Sequence, residues 1–111
     1  MSATITDLDT LKRALRDFAA ARDWRQYHTP KNLAMAMIVE AAELVEHFQW
    51  ATPEESLHPA PQKLAEIRDE VADTLIYLVE LADVLGIDLI AAARAKIEKN
   101  AIKYPAPERT P

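Results

Sequence analysis

The sequence predicts an all-α protein, a four-helix bundle. Three observations carry that expectation. Apolar residues recur every three or four positions along most of the 111 residues. No stretch alternates polar and apolar as a half-buried strand would. A single glycine argues against the turn-rich β-sandwich and against a glycine-rich phosphate loop.

The first helix is expected from about Asp7 to Trp24. Thr6 stands as its N-cap, and Leu8, Leu11, Leu15 and Phe18 form its apolar stripe. The second begins with Thr29 as N-cap and Pro30 at the first helical position, where the missing N–H costs nothing, and runs to about Trp50. A loop punctuated by Pro53, Pro59 and Pro61 follows. The third helix spans Pro61 to about Leu85, with Gly86 placed for a left-handed C-terminal cap. The fourth starts after Asp88 as N-cap and runs to about Lys103, where Pro105 stops it. One domain over 1–111 is expected, with a core of about 7–104 and a loose tail at 105–111. A bundle this small is expected to cover some of its apolar faces with another copy of itself.

Composition narrows the function. With no cysteine, disulfides, zinc ribbons, iron–sulfur clusters and thiol nucleophiles are excluded, which fits a reducing compartment. Thirteen basic against eighteen acidic residues give a formal charge of −5, which disfavours binding to a nucleic-acid polymer. A small phosphorylated ligand held through a divalent cation remains compatible. The N-terminus MSATITDLDT lacks the basic and apolar regions of a signal peptide, and no apolar run approaches membrane-spanning length. The expectation is a soluble cytoplasmic protein without a membrane partner.

The second helix carries carboxylates in unusual places. On a helical wheel Leu33, Met37, Leu44 and Phe48 share one face, and Glu40 falls inside that stripe with Glu43 on its flank. An ionised carboxylate among apolar residues is costly unless paired or coordinated. In the third helix Leu64, Ile67, Val71, Leu75, Leu78 and Ala82 form the apolar stripe, and Glu70, Asp73 and Tyr77 line its edge. Glu66, Asp69, Glu70 and Asp73 crowd together with only Arg68 among them, and such like charges repel at helical spacing. A hard divalent cation such as Mg²⁺ turns that repulsion into a ligand set. Lys96, Asn100 and Lys103 stand at i, i+4 and i+7 in the fourth helix, followed by Tyr104. Read alone, that stripe faces solvent. Trp24, Tyr27 and His28 cluster after the first helix, and Trp50 ends the second. A Trp there either caps a core or stacks on a planar ligand. His47 and His58 have no evident partner and read as surface or packing residues.

Glu40-x-x-Glu43 followed by Glu70-x-x-Asp73 resembles the ExxE…ExxD signature of the all-α nucleoside triphosphate pyrophosphohydrolases, the MazG-like superfamily. Within it, the deoxycytidine triphosphate pyrophosphatase group looks closest. The resemblance rests on Phe18-Ala-Ala-Ala-Arg-Asp-Trp24, Glu43-Leu-Val-Glu-His-Phe-Gln-Trp50, Asp73-Thr-Leu-Ile-Tyr-Leu78 and Lys96-Ile-Glu-Lys-Asn-Ala-Ile-Lys-Tyr-Pro105, which together span about residues 18 to 105. It implies hydrolysis of a nucleoside triphosphate, dCTP or a modified dCTP, between the α and β phosphates, with Mg²⁺ as cofactor and nucleotide-pool sanitation as the role. It further implies that Glu40, Glu43, Glu70 and Asp73 hold the metal and do the catalytic work, one of them acting on the attacking water. Trp24, His28, Trp50 and Tyr77 would shape the base and sugar pocket, and Lys96, Asn100, Lys103 and Tyr104 would contact phosphates or nucleoside. A dimer or tetramer with pockets near subunit contacts is also implied. The sequence departs from close relatives where they often carry glycines beside the first acidic motif, since Val39 and Ala42 stand there, and its 51–61 loop is short.

Rival readings remain at this stage. One is a nucleotide hydrolase of broader specificity, or a phosphoribosyl-ATP pyrophosphohydrolase of the same superfamily. Another is a non-catalytic helical oligomerisation module. A di-iron carboxylate bundle requires Glu-x-x-His on two helices, and the chain offers only Glu55 to His58, in the proline-rich loop.

Overall fold

The computed structural model describes residues 4–108. They form helices α1 (Leu8–Ala21), α2 (Pro30–Glu46), α3 (Pro53–Ser56), α4 (Pro61–Val84) and α5 (Leu89–Lys103), with one turn of 3₁₀ helix at Arg25–Tyr27, and no strand occurs among the described residues. The all-α expectation holds. Residues 105–108 lack regular structure, and the rest of the expected tail, 109–111, lies outside the described residues.

The helix ends follow local chemistry. Asp7, not Thr6, caps α1: its carboxylate accepts from the Thr10 N–H at 2.8 Å, and the Thr10 hydroxyl accepts from the Asp7 N–H at 3.0 Å. That helix stops at Ala21, short of Trp24, because Asp23 turns left-handed at φ 57°. The Trp24 N–H then donates to the Ala19 carbonyl at 2.9 Å and the Asp23 N–H to Ala20 at 3.1 Å, which closes the helix. The second helix is capped by Thr29 as expected but ends at Glu46, so 47–50 form a turn. The proline-rich loop holds a helical turn, α3, started by a reciprocal Thr52–Glu55 cap. Gly86 closes α4 at φ 68°, and the Ile87 N–H reaches the Ala82 carbonyl at 2.8 Å. Asp88 caps α5 through the Ala91 N–H at 3.0 Å.

Packing centres on α2 against α4, with α1 laid on the C-terminal half of α4. Arg16 of α1 grips Asp83 of α4 with both forks of its guanidinium, Nε to Oδ2 at 2.7 Å. Among the described residues the buried core is small: Ala19, Leu33, Ile67, Val79 and Ala82, with Leu33 essentially sealed at 1% exposure.

The third-helix stripe expected from the sequence divides. Ile67 and Ala82 are buried, whereas Leu64, Val71, Leu75 and Leu78 are exposed. Of the groups placed at the edge, Glu70 and Tyr77 are half-buried and Asp73 is exposed. On α2, the face with Leu33, Met37, Glu40 and Leu44 is turned inward, while Met35, Ile38 and Val45 form a second apolar stripe left exposed. No α5 residue after Leu89 is even half-buried, and α5 has no substantial packing against the other helices. The radius of gyration is 17.7 Å, with extents of 57 × 36 × 30 Å. A compact chain of this length has a radius near about 13 Å, so within one chain the fourth long helix projects from the body.

Candidate active site

The inner face of α2 meets that of α4 across a cluster of carboxylates. Antiparallel packing sets Glu43 beside Glu70, and Glu40 between Glu43 and Asp73. Ligand oxygens of Glu40, Glu43 and Glu70 all lie within 4.8 Å of one another. Asp73 stands outside that trio, but its charge acts on both Glu40 and Glu70. Burial, then the charges of Glu43, Asp73 and Glu70, hold the Glu40 carboxyl above its ordinary range. Glu70 is raised first by burial and then by Glu43, with His47 pulling the other way. Tyr77, one turn beyond Asp73, is raised by burial and by the charges of Glu40, Glu80 and Asp73.

Glu70 Oε2 is buried without a hydrogen-bond partner. An unsatisfied carboxylate oxygen beside two further carboxylates is expensive, unless a cation completes it. The donors are all oxygens, with no sulfur and no imidazole in the trio, and that suits a hard cation of the Mg²⁺ type. The residues therefore fit a divalent metal.

The other expected site residues divide into those the chain brings near and those it does not. Tyr77 is near, as its neighbours show. His28 faces α4, where its Nδ1 meets Glu80 Oε2 at 3.0 Å. Trp24 packs edge-on against Phe18, ring centroids 5.7 Å apart, and the Arg22 guanidinium lies 3.4 Å from the Phe18 centroid. Trp50 is 90% exposed, and nothing among the described residues covers it. Lys96, Asn100, Lys103 and Tyr104 sit on the projecting α5, all exposed, with the Lys103 ammonium 5.3 Å from the Tyr104 ring. Within one chain, α5 does not close over the carboxylates.

Sequence reasoning missed two groups. His47 is half-buried and its charge reaches Glu70, so it is more than a surface residue. Glu80, the partner of His28, went unnoticed, although Asp73, Tyr77 and Glu80 stand at i, i+4 and i+7 on one face of α4. That spacing is the signal that could have found it.

An all-α scaffold whose paired helices gather carboxylates into a cluster that could hold a divalent cation defines the class. Comparison with known proteins makes the class specific. A family profile described as the MazG-like family matches residues 35–110, and the chain belongs to that family. It is 42% identical to dCTP pyrophosphatase 1 of Homo sapiens over 104 residues, which covers 89% of this chain and 59% of that protein. Identity to dCTP pyrophosphatase 1 of Bos taurus is likewise 42%, over 88% of this chain and 59% of the relative. The chain thus spans about three-fifths of the length of these curated relatives. A crystal structure of a pyrophosphatase from Archaeoglobus fulgidus superposes with a TM-score of 0.85 at 41% identity, covering 96% of this chain and 99% of that one.

Proposed function

We propose that the protein hydrolyses a nucleoside triphosphate, dCTP or a modified dCTP, to the monophosphate and pyrophosphate with Mg²⁺, and so removes unwanted nucleotides from the pool. The observation that carries this reading is the carboxylate trio with its orphaned Glu70 oxygen, in a chain similar to dCTP pyrophosphatases. Glu40, Glu43 and Glu70 would hold the metal, with Asp73 beside them. The bound ion would neutralise phosphate charge and acidify a coordinated water. One of these four carboxylates would orient or deprotonate the attacking water. His47, close enough to act on Glu70, would hold that carboxylate in its ionised form when protonated. No protein nucleophile is required, consistent with the absence of cysteine.

Lys96, Asn100, Lys103 and Tyr104 can serve this site only if α5 packs on another body. The exposed apolar stripes Met35–Ile38–Val45 on α2 and Leu64–Val71–Leu75–Leu78 on α4 need cover, as do Ile97 and Ile102 on α5. Charge agrees: α5 carries Arg94, Lys96, Lys99 and Lys103 against Glu98 alone, while the acidic cluster lies on α2 and α4. A homo-oligomer, a dimer or tetramer, satisfies all of these, each copy lending α5 to a neighbour's carboxylates. No described helix is long and apolar enough to cross a membrane, and a reducing cytoplasm suits a chain without cysteine.

The test is turnover with Mg²⁺ against the common dNTPs and NTPs, with products resolved. Monophosphate plus pyrophosphate, with dCTP preferred, is the expected result. Pyrophosphate release with another preference would keep the reaction and discard the substrate. Absence of hydrolysis would leave the non-catalytic helical module as the better account.

A further inference from the structure

The end of α1 carries an aromatic cluster outside the core. Phe18 and Arg22 stand at i and i+4, and Trp24 follows just beyond Asp23. All three are exposed, so burial does little to order them. They are nevertheless tied together. Arg22 Nη1 donates to the Phe18 carbonyl at 3.0 Å. The same guanidinium lies 3.4 Å from the Phe18 ring centroid and 5.9 Å from that of Trp24. Both distances fall within the reach of about 6 Å over which an aromatic face attracts a cation. The two rings meet edge to face, at 64°. The backbone contributes as well. Asp23 takes a left-handed conformation at φ 57°, which a residue other than glycine adopts at a cost. The Trp24 N–H then returns to the Ala19 carbonyl at 2.9 Å. The Gln26 side-chain amide donates to the Asp23 carbonyl at 3.1 Å and holds the turn from its far side. Because the rings cross and do not stack, 46% of Trp24 stays open, and a flat ligand has room to lie against it.

We propose that Arg22 is a positioning residue for nucleotide binding: it clamps Phe18 and Trp24 so that the indole is held ready to stack on the base. The inference rests on the nucleotide reading above, with Trp24 as one wall of the base pocket, and adds the residue that sets the angle of that wall. Arg22 acts through Trp24 and need not touch the nucleotide. An indole on an exposed loop turns about two side-chain bonds, and ordering it only on binding costs affinity. The clamp makes that ordering part of the folded state. Arginine suits the task better than lysine, since its planar guanidinium lies on a ring while Nη1 keeps the carbonyl bond. The base of a nucleotide is remote from the phosphates where the bond breaks, so its stacking is equal in the ground and transition states. Loss of the clamp should therefore raise KM and leave kcat alone.

The test uses the full chain labelled with fluorotryptophan. Its two tryptophans give two fluorine NMR resonances, which Trp24→Phe assigns. Without nucleotide, Arg22→Ala should move or broaden the Trp24 resonance and leave that of Trp50 in place. In EDTA, dCMP should shift the wild-type Trp24 resonance, and Arg22→Ala should need about five times as much for the same shift, the loss that one exposed cation–π contact supports. With Mg²⁺ and dCTP, KM should rise by the same factor of about five with kcat unchanged. Phe18→Leu should act alike, the double variant should be no worse than either single one, and Arg22→Lys should recover part of the loss. Circular dichroism and thermal melting report whether each variant folds, and Phe18→Leu carries the test if Arg22→Ala does not. A Trp24 resonance unmoved by these substitutions overturns the proposal. Additive losses in the double variant overturn it too, as does a wild-type Trp24 resonance that ignores dCMP. A chain that takes dCMP at Trp24 yet releases no pyrophosphate refutes the proposed hydrolysis, while the resonances still decide the role of Arg22.

Discussion

Replacing Glu40 by glutamine should stabilise the metal-free protein and weaken its response to Mg²⁺. Oxygens of Glu40, Glu43 and Glu70 crowd within 4.8 Å of one another. At that spacing two unit charges repel by about 3.5 kcal/mol at an effective dielectric of about 20, and by under about 1 kcal/mol in bulk water. Glu43 is exposed and Glu40 only half-buried, so solvent screening favours the lower figure, and Glu40→Gln should gain about 1 kcal/mol without metal. For a chain of this size that is a rise in Tm of about 4 °C. The pH dependence has a definite sign. A carboxyl whose folded pKa lies above its ordinary 4.5 holds its proton more tightly in the folded state. Stability from Glu40 and Glu70 is therefore full below about that pH and is lost as pH rises through the folded values. In EDTA the wild type should lose stability between mildly acidic and neutral pH, and Glu40→Gln should lose less. With Mg²⁺ at a hundred times its Kd the wild type should gain about 2.7 kcal/mol, most of which the variant forgoes. The assay is thermal unfolding at fixed protein concentration, in EDTA and across a Mg²⁺ series. A Glu40→Gln protein less stable than wild type in EDTA, together with a wild type indifferent to Mg²⁺, would refute the reading of the cluster as a metal site.

Three further outcomes are expected. Asp73→Asn should reduce turnover by at least a hundredfold with helicity unchanged by circular dichroism; retained activity would remove Asp73 from the catalytic set. Leu33→Ala empties a sealed core position and should cost about 3 kcal/mol, read as a lower midpoint in urea with the same slope. Ile97→Asp combined with Ile102→Asp places charge on the exposed face of α5 and should shift light-scattering mass to the monomer and abolish turnover together. A monomer that keeps full activity would show that α5 is not shared between copies.

The helices and most of their ends were legible in the sequence because capping is local chemistry. Thr29–Pro30, Asp88 and Gly86 act within a few residues, and the structure uses each as its position suggests. The α1 boundary was misjudged at both ends for a local reason too: Asp7 offers a better cap than Thr6, and Asp23 adopts the left-handed turn without a glycine to announce it. Glu40 inside an apolar stripe and the repeated acidic spacing on the next long helix also needed only periodicity.

Sequence alone therefore determined the all-α class, the carboxylates and the family resemblance they carry. Tertiary structure decided what those residues face. A helical wheel gives the angle of a side chain about its own axis but not which face another helix covers. On α4 the face with Glu70 and Tyr77 turns inward, and the apolar stripe Leu64–Val71–Leu75–Leu78 is left open. The wheel turned the whole stripe inward, and of its six residues the structure buries Ile67 and Ala82. Only antiparallel packing of α2 on α4 brings Glu43 to Glu70, orphans one Glu70 oxygen and draws in His47. Only the lie of α1 on α4 joins His28 to Glu80, two residues that are fifty-two positions apart and share no local pattern. Contacts between distant segments are set by burial and geometry summed over the whole chain, and neither is written in the spacing of any one helix.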